Sequence, residues 1–144
     1  MPCLEISLPK IDLKTKEKLS DALTKTFAES TRFGAEIFGI CYHEYEAGQS
    51  ANGGVIWDGR SGRPYLHMLL YIPRINRTTK QLLVENLSQT FVEVIGKENW
   101  LPVIHICEHP YDNVGVEGKL LSDQYDACAK SKFYYDVGDE QPEG

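Results

Sequence analysis

The chain has 144 residues, of which 42% are hydrophobic and 25% are charged. This length and composition indicate a single globular domain with a hydrophobic core, and they exclude an intrinsically disordered chain. The net charge of −6 argues against a nucleic acid partner, since nucleic acid binding requires a positive surface. The sequence has neither an apolar run of the ~20 residues that span a bilayer nor a signal peptide, so we expect a cytoplasmic protein without membrane contact.

An internal repeat organises the chain. Residues 7–27 match residues 71–91 at an offset of 64 positions, with proline, isoleucine, threonine, lysine, leucine and phenylalanine recurring at matched places. The same offset continues through the later part of each half. We therefore interpret the whole chain as one domain built from two related halves, 2–58 and 65–122, followed by an extension and tail at 123–144.

Each half is predicted to fold as strand, helix and strand. Segment 4–8 alternates apolar and polar residues, as a half-buried strand does, and 66–72 is its more apolar counterpart. A helix follows each strand, because apolar residues recur there at intervals of four. These apolar stripes are Leu19, Leu23 and Phe27, and then Leu83, Leu87 and Phe91. The return strands are predicted at 37–45 and 103–108.

This order of elements predicts an α+β fold. A strand, a helix and a second strand join most simply as parallel neighbours through a right-handed crossover. Two such β-α-β units then form one four-stranded sheet with both helices on one face. The opposite face is expected to be apolar and uncovered, and a chain of this size buries such a face by assembling with copies of itself.

No motif for a metal or a nucleotide is present, so we expect no cofactor. The four cysteines are Cys3, Cys41, Cys107 and Cys128. None of them stands in a Cys-x-x-Cys pair or at zinc spacing from a histidine. They are expected to be buried free thiols in a reducing compartment.

Pro2 is the strongest single candidate for a catalytic residue. Met1 is normally removed when the second residue is this small, which leaves a chain that starts with the secondary amine of proline. An α-amine has a pKa of ~8, and nearby cations or burial lower that pKa. Such an amine can act as a general base near neutral pH. The second half has Leu66 at the corresponding position, so only one such amine exists per chain. The alternative is a terminal residue with no role.

Arg74 and Arg77 stand in the loop between the third predicted strand and the second helix. Two guanidinium groups three positions apart at a helix entry can point to one side and hold a carboxylate through paired hydrogen bonds. Cations are unfavourable at a helix N-terminus, so a purely structural reason for the pair is weak. The pair predicts a small carboxylic acid as partner; the alternative is two solvated surface arginines.

Together these features resemble the tautomerase superfamily, and most closely its cis-3-chloroacrylic acid dehalogenase group. The resemblance covers residues 2 to about 121. It rests on Pro2, the Glu-x-x-Ala-Gly and Gly-Gly-Val segment of 44–55, Arg74 and Arg77, the Glu-x-Pro of 108–110, and Gly118. It implies a duplicated β-α-β fold, catalysis by the N-terminal proline without cofactor or metal, and a homotrimer in which six units surround an axis.

Three positions depart from the dehalogenase pattern. The resemblance puts Phe27, or Glu29 if the alignment is shifted, where that group has a catalytic histidine. It puts His105 where the group has a strand tyrosine, and Val116 where it has a water-activating glutamate. His105 is then a candidate to assist the proline, with a core or interface histidine as the alternative. Glu117, one residue beyond Val116, is a candidate to activate water. Simple proton transfer is favoured over hydrolytic dehalogenation because the groups that activate water are displaced or replaced.

Three functions follow, and the leading one is a cofactor-free tautomerase. In this function the free amine of Pro2 takes a proton from a small keto or enol acid and returns it elsewhere, while Arg74 and Arg77 hold the carboxylate. The second is a hydratase or lyase of the dehalogenase kind, in which a protonated Pro2 donates to an unsaturated acid. The third is a non-catalytic interaction protein that keeps the fold, which retention of Met1 would favour.

Overall fold

The computed structural model describes residues 2–124, so most of the predicted extension and tail, with Cys128, lies outside the described residues. The strands and helices, in chain order, are β1 Cys3–Pro9, α1 Leu13–Ser30, β2 Gly39–Tyr45, β3 Ala51–Asn52, β4 Val55–Ile56, β5 His67–Pro73, α2 Arg77–Ile95, β6 Val103–His109, β7 Gly115–Val116, β8 Lys119–Leu120 and α3 Leu121–Gln124. All four predicted long strands and both predicted helices are present. The second strand starts two residues later than predicted because Ala35–Ile37 forms a 3-10 turn.

The four long strands form one mixed sheet in the order β2-β1-β5-β6. β1 runs parallel to β2 and β5 runs parallel to β6, while the central pair β1 and β5 is antiparallel. Both helices pack on one face of the sheet, where the predicted leucine and phenylalanine stripes are buried. The predicted α+β architecture is therefore confirmed.

Both helices begin with the same cap, 64 residues apart. The side chain of Asp12 accepts a hydrogen bond from the backbone N–H of Thr15 at 2.7 Å, and Asn76 accepts one from Thr79 at 2.8 Å. Each bond satisfies an amide that the first helical turn leaves without a partner. The sequence therefore sets both helix starts through the same local contact.

The two halves also share an anchor at the end of their outer strands. The carboxylate of Glu44 accepts a hydrogen bond from the backbone N–H of Ile11 at 2.8 Å and one from Nζ of Lys16 at 2.6 Å. Its counterpart Glu108 makes the same two bonds 64 positions further on, at 3.1 and 2.6 Å. Each glutamate thus ties the end of a strand to the loop and first turn of a helix.

The sheet face opposite the helices, here called the open face, differs from its prediction. By strand alternation its side chains are Cys3, Glu5, Ser7, Cys41, His43, His67, Leu69, Tyr71, Val103, His105 and Cys107. Most of these side chains are polar or titratable, so the expectation of an apolar face was wrong. The alternation places apolar residues toward the helices, and nothing in that packing requires the other face to be apolar as well.

The three cysteines that the structure describes are free thiols, as predicted, but their predicted burial was wrong. Cys41 is exposed, while Cys3 and Cys107 are half-buried, because all three lie on the open face and not among the core residues under the helices.

Within residues 2–124, no helix is both long and apolar enough to cross a membrane.

The anchor at Glu44 generates a prediction about acid stability. The bond from Lys16 and then the bond from the Ile11 N–H lower the pKa of Glu44, so the stabilisation is present above the unfolded-state pKa of ~4.3 and is lost as the pH falls through the lower folded-state value. We expect Glu44→Gln to lower the free energy of unfolding by about 1 kcal/mol at pH 7, with the difference from the parent shrinking below pH ~4.

Urea unfolding across that pH range measures this effect. Glu85→Gln, which changes an exposed carboxylate on α2, is the matched control and should not show the same convergence. A constant difference between parent and Glu44→Gln from pH 7 to pH 3 would contradict the assignment.

Candidate active site

The antiparallel pairing of the two central strands brings Pro2 to the arginine loop. Cys3 is the register partner of Tyr71, so Pro2 is level with Ile72 and one step from Pro73, where β5 ends. Pro2 is buried, and its carbonyl oxygen accepts a hydrogen bond from the N–H of Gly39 at 3.2 Å. The start of β1 is thus held between β2 and β5 within one chain.

The loop after β5 presents two arginines around a buried turn. Arg74 and Arg77 are exposed, whereas Ile75 and Asn76 between them are buried. Asn76 caps α2, and Ile75 is fixed through its N–H to Glu108. The buried pair therefore fixes the backbone of the loop that carries both arginines.

A third arginine, which the sequence analysis missed, joins this loop. Arg32 follows the end of α1, and its Nη2 donates a hydrogen bond to the carbonyl oxygen of Arg74 at 2.9 Å. Its guanidinium carbon lies 4.5 Å from the centroid of the Phe33 ring, which is cation–π distance. The repeat carries a signal for this residue, because the position 64 residues later is Gly96 and the cation belongs to one half only.

Phe27 is part of the core and not of a polar site. Its ring is fully buried and stacks on Phe38 with centroids 4.1 Å apart and on Phe33 at 6.1 Å. This stack supports the segment between α1 and β2, which leads directly to Gly39. The position that the resemblance aligns with a catalytic histidine therefore serves packing in this chain.

His105 lies on the open face, away from Pro2. Its Nδ1 is 2.6 Å from Nε2 of His67, so one ring donates a hydrogen bond to the other. Burial and the neighbouring His105 lower the pKa of His67. His105 is the register partner of Leu69, three positions along β5 from the level of Pro2, which is ~10 Å. Within one chain, the structure does not bring His105 to the proline.

Glu117 stands at the tip of the β7–β8 hairpin. It is exposed and has a φ of +54°, the one left-handed non-glycine residue among those described. Gly118 follows with a φ of +82°, and two consecutive positive φ angles are typical of a tight hairpin turn. In the first half the corresponding residues are Gly53 and Gly54. Glutamate thus occupies a position at which the repeat has glycine.

His109, the last residue of β6, is the second residue that the sequence analysis missed. It is the register partner of Pro73, the residue before Arg74. It therefore lies at the same end of the sheet as Pro2 and the arginine loop. The corresponding residue of the first half is Tyr45, so this histidine also breaks the repeat.

The open face carries a shallow cleft of about 500 Å³ beside this end of the sheet. Its walls are formed by Cys3, Leu4, Glu5, Gly39, Ile40, Cys41 and Tyr71. The cleft begins at the residue that follows Pro2 and has room for a small molecule. Within residues 2–124, no three His, Cys, Asp or Glu side chains come together as a metal ion requires.

Neither a family model nor a curated protein matches the chain, but solved structures share its fold. The native fused 4-OT structure is 20% identical, with a TM-score of 0.76 over 84% of this chain and 97% of that one. The R7 fused 4-OT asymmetric trimer is 22% identical, with a TM-score of 0.72 over 85% and 98%. N1, a member of the cis-3-chloroacrylic acid dehalogenase family, is 16% identical, with a TM-score of 0.69 over 85% and 87%. The chain therefore has the duplicated β-α-β fold that the resemblance predicted.

The backbone at Glu117 generates a prediction about stability. We expect Glu117→Gly to raise the free energy of unfolding by about 1 kcal/mol, because glycine adopts a positive φ without the steric cost that a side chain brings. Gly118→Ala is the matched change in the opposite direction and should destabilise by a similar amount. Chemical denaturation of the three chains measures both effects, and a loss of stability in Glu117→Gly would show that its side chain makes contacts that outweigh the strain.

Proposed function

We propose that this chain is a cofactor-free tautomerase acting on a small keto or enol carboxylic acid. The observation that supports it most directly is the meeting, within one chain, of the start of β1 at Pro2 and the loop that carries Arg74 and Arg77. A base without an acid-binding group, or two arginines without a base, would support a weaker proposal. Here the register of one strand pair places both at the same end of the sheet.

In the proposed reaction, Pro2 exchanges a proton with carbon. Removal of Met1 leaves a secondary amine, and both burial at the strand start and the positive charge of the nearby arginines disfavour its protonated form. The free amine takes a proton from the carbon next to the keto group. The electron pair of that C–H bond becomes the C=C bond of the enolate, and the proton returns at another atom.

The arginines provide the electrostatic part of the proposal. A guanidinium fork holds a carboxylate through two parallel hydrogen bonds, which fixes the acid against the amine. The positive charge also stabilises the negative oxygen that forms when the proton leaves carbon. Arg32 supports this role, because its bond to the carbonyl of Arg74 holds the loop in place.

The assembly that we propose is a homotrimer. The fused 4-OT neighbour R7 is a trimer, and three copies of this chain would supply six β-α-β units around one axis. The open face, with its histidines, cysteines and Glu5, is then the surface that the copies bring together. Its polar character predicts an interface held by hydrogen bonds as well as by apolar contact.

The catalytic proposal predicts the effect of three substitutions. Pro2→Ala keeps an amine but makes it primary and less constrained, so turnover should fall while the fold persists. Arg74→Ala and Arg77→Ala should each weaken substrate binding by ~1.5–3 kcal/mol, the value of a lost charge-assisted bond, which is ~10- to 150-fold in KM. Ketonisation of an enol 2-oxo acid, followed by absorbance, is the assay.

Lys10→Ala is the matched control for the arginines. Lys10 stands at the place of Arg74 in the first half and pairs with Glu46 at 2.8 Å, away from the start of β1. Its removal should leave the kinetics unchanged. Parent-like activity of all three site variants on every enol or unsaturated acid would end the proposal, and a parent that only hydrates an unsaturated acid would favour the hydratase.

The assembly has its own test. We expect sedimentation equilibrium at micromolar concentration to give three times the 16.3 kDa chain mass. A stable monomer under those conditions would contradict the trimer without affecting the geometry that Pro2 and the arginines share within one chain.

A further inference from the structure

His109 lies at the same end of the sheet as Pro2, on the other side of β5. It is the register partner of Pro73, while Pro2 is level with Ile72 on the opposite neighbour of that strand. Adjacent strands lie ~4.8 Å apart, so the backbones of β1 and β6 are separated by ~10 Å at this level. After the length of the imidazole is subtracted, this distance fits a small acid that makes one hydrogen bond at each end.

One nitrogen of the His109 ring lacks a hydrogen-bond partner among the described residues. Its Nε2 is buried, and among the residues that the structure describes no group bonds to it. The Cys107 backbone raises the pKa of His109, which is the effect of a carbonyl oxygen that accepts from the ring, and an Nδ1–H donor fits this effect because Nε2 has no partner among residues 2–124. A ring that donates through Nδ1 is the neutral tautomer with an acceptor at Nε2.

Burial disfavours the charged form of this imidazole. Burial lowers the pKa of His109, an effect that exceeds the opposing one of the bond to Cys107. By strand register, the neighbours of His109 on its own face of the sheet are Pro73, Tyr71 and Cys107. None of these groups is a carboxylate, so none favours the imidazolium.

A buried acceptor without a donor is rare in folded proteins and calls for an explanation. The group that satisfies it must bring an O–H or N–H. A carboxylate has none at neutral pH, but the hydroxyl of an enol has one. Nε2 of His109 is therefore complementary to the enol oxygen of a substrate whose carboxylate the arginines hold.

We propose that His109 is the second proton-transfer group of this site, exchanging the proton on the substrate oxygen through Nε2 while Pro2 exchanges the proton on carbon. This inference rests on the proposed tautomerase function and adds a named acid–base partner to it. It also replaces His105 as the histidine that assists Pro2.

The step balances in both directions. In ketonisation, Nε2 takes the enol O–H proton, the O–H electron pair forms the C=O bond, and the C=C pair takes a proton from the Pro2 ammonium. In enolisation, the free amine of Pro2 takes the proton from carbon and the His109 imidazolium protonates the oxygen. Solvent then returns one proton from one group to the other, and no oxidant or cofactor takes part.

The kinetic test compares the parent with His109→Gln and His43→Gln, each with Met1 removed as checked by mass. His43 is the control because it is a strand histidine that bonds to a neighbour, Glu5 at 3.1 Å, away from the end of the sheet that carries Pro2. For enol ketonisation we expect kcat of His109→Gln to fall by ~100-fold or more, the usual value of general acid–base catalysis, with KM changed less than fivefold.

The pH profile separates proton transfer from a structural role. The parent needs His109 neutral to accept the enol proton, so its kcat should fall as the pH drops through the lowered pKa of His109. His109→Gln should lack that acid limb, whereas His43→Gln should keep it. A variant with parent-like kcat and an unchanged acid limb would overturn the proposal.

Pro2→Ala distinguishes a failure of the His109 proposal from a failure of the tautomerase proposal. If Pro2→Ala is impaired and His109→Gln is not, the His109 proposal fails and the tautomerase stands. If neither substitution changes the rate, the tautomerase itself fails. A measurement on the parent alone covers the case in which His109→Gln does not fold.

That measurement is a ¹⁵N NMR titration of the histidine rings with and without oxalate, a planar analogue of the enolate. We expect His109 in the free chain to be the Nδ1–H tautomer and saturating oxalate to raise its pKa, because the oxalate oxygen pairs with the imidazolium. An Nε2–H tautomer, or a titration that oxalate leaves unchanged, would overturn the proposal.

Discussion

The antiparallel pairing of β1 with β5 is the contact on which the rest of the molecule depends. Each β-α-β half is locally complete, with its own helix cap and its own glutamate anchor, but the halves become one sheet only through this pair. Antiparallel register requires that the start of one strand meets the end of the other. The start of β1 at Pro2 and the loop at Arg74 are therefore brought together by the same hydrogen bonds that build the core.

The repeat explains the structure where it is kept and indicates the site where it is broken. Thr26 and Thr90, 64 positions apart, hydrogen-bond to each other at 2.7 Å where α1 and α2 meet, as expected of two equivalent helices. Five of the differences between the halves lie together at one end of the sheet. Pro2, Arg32, Arg74, Arg77 and His109 have as counterparts Leu66, Gly96, Lys10, Leu13 and Tyr45. The opposite end of the sheet has the same backbone and none of this chemistry.

The sequence predicted the architecture because apolar periodicity and the repeat are local patterns. Leu19, Leu23 and Phe27 could be read as a buried helix face without knowing what covers them. Arg32 and His109 could not be found in this way, since their significance depends on strand register, which no local pattern contains. The prediction that the open face is apolar was wrong for a related reason. Alternation in Glu5 and its neighbours fixes which side chains point away from the helices, but it does not determine what those side chains contact.

The energetically unfavourable features of this fold also lie at the end of the sheet that carries Pro2, or in the segment that follows β6. Arg77 places a cation at the N-terminus of α2, where the helix dipole disfavours it, and Leu13 has no such cost at α1. Among residues 2–124 no group bonds to the buried Nε2 of His109, and Glu117 holds a left-handed backbone where the first half has Gly53. Proteins retain such local conflicts mainly where another requirement outweighs stability. The conflicts belong to Arg77, His109 and Glu117 and not to their counterparts Leu13, Tyr45 and Gly53. This asymmetry is the physical argument for the end of the sheet at which Pro2 and the arginine loop meet.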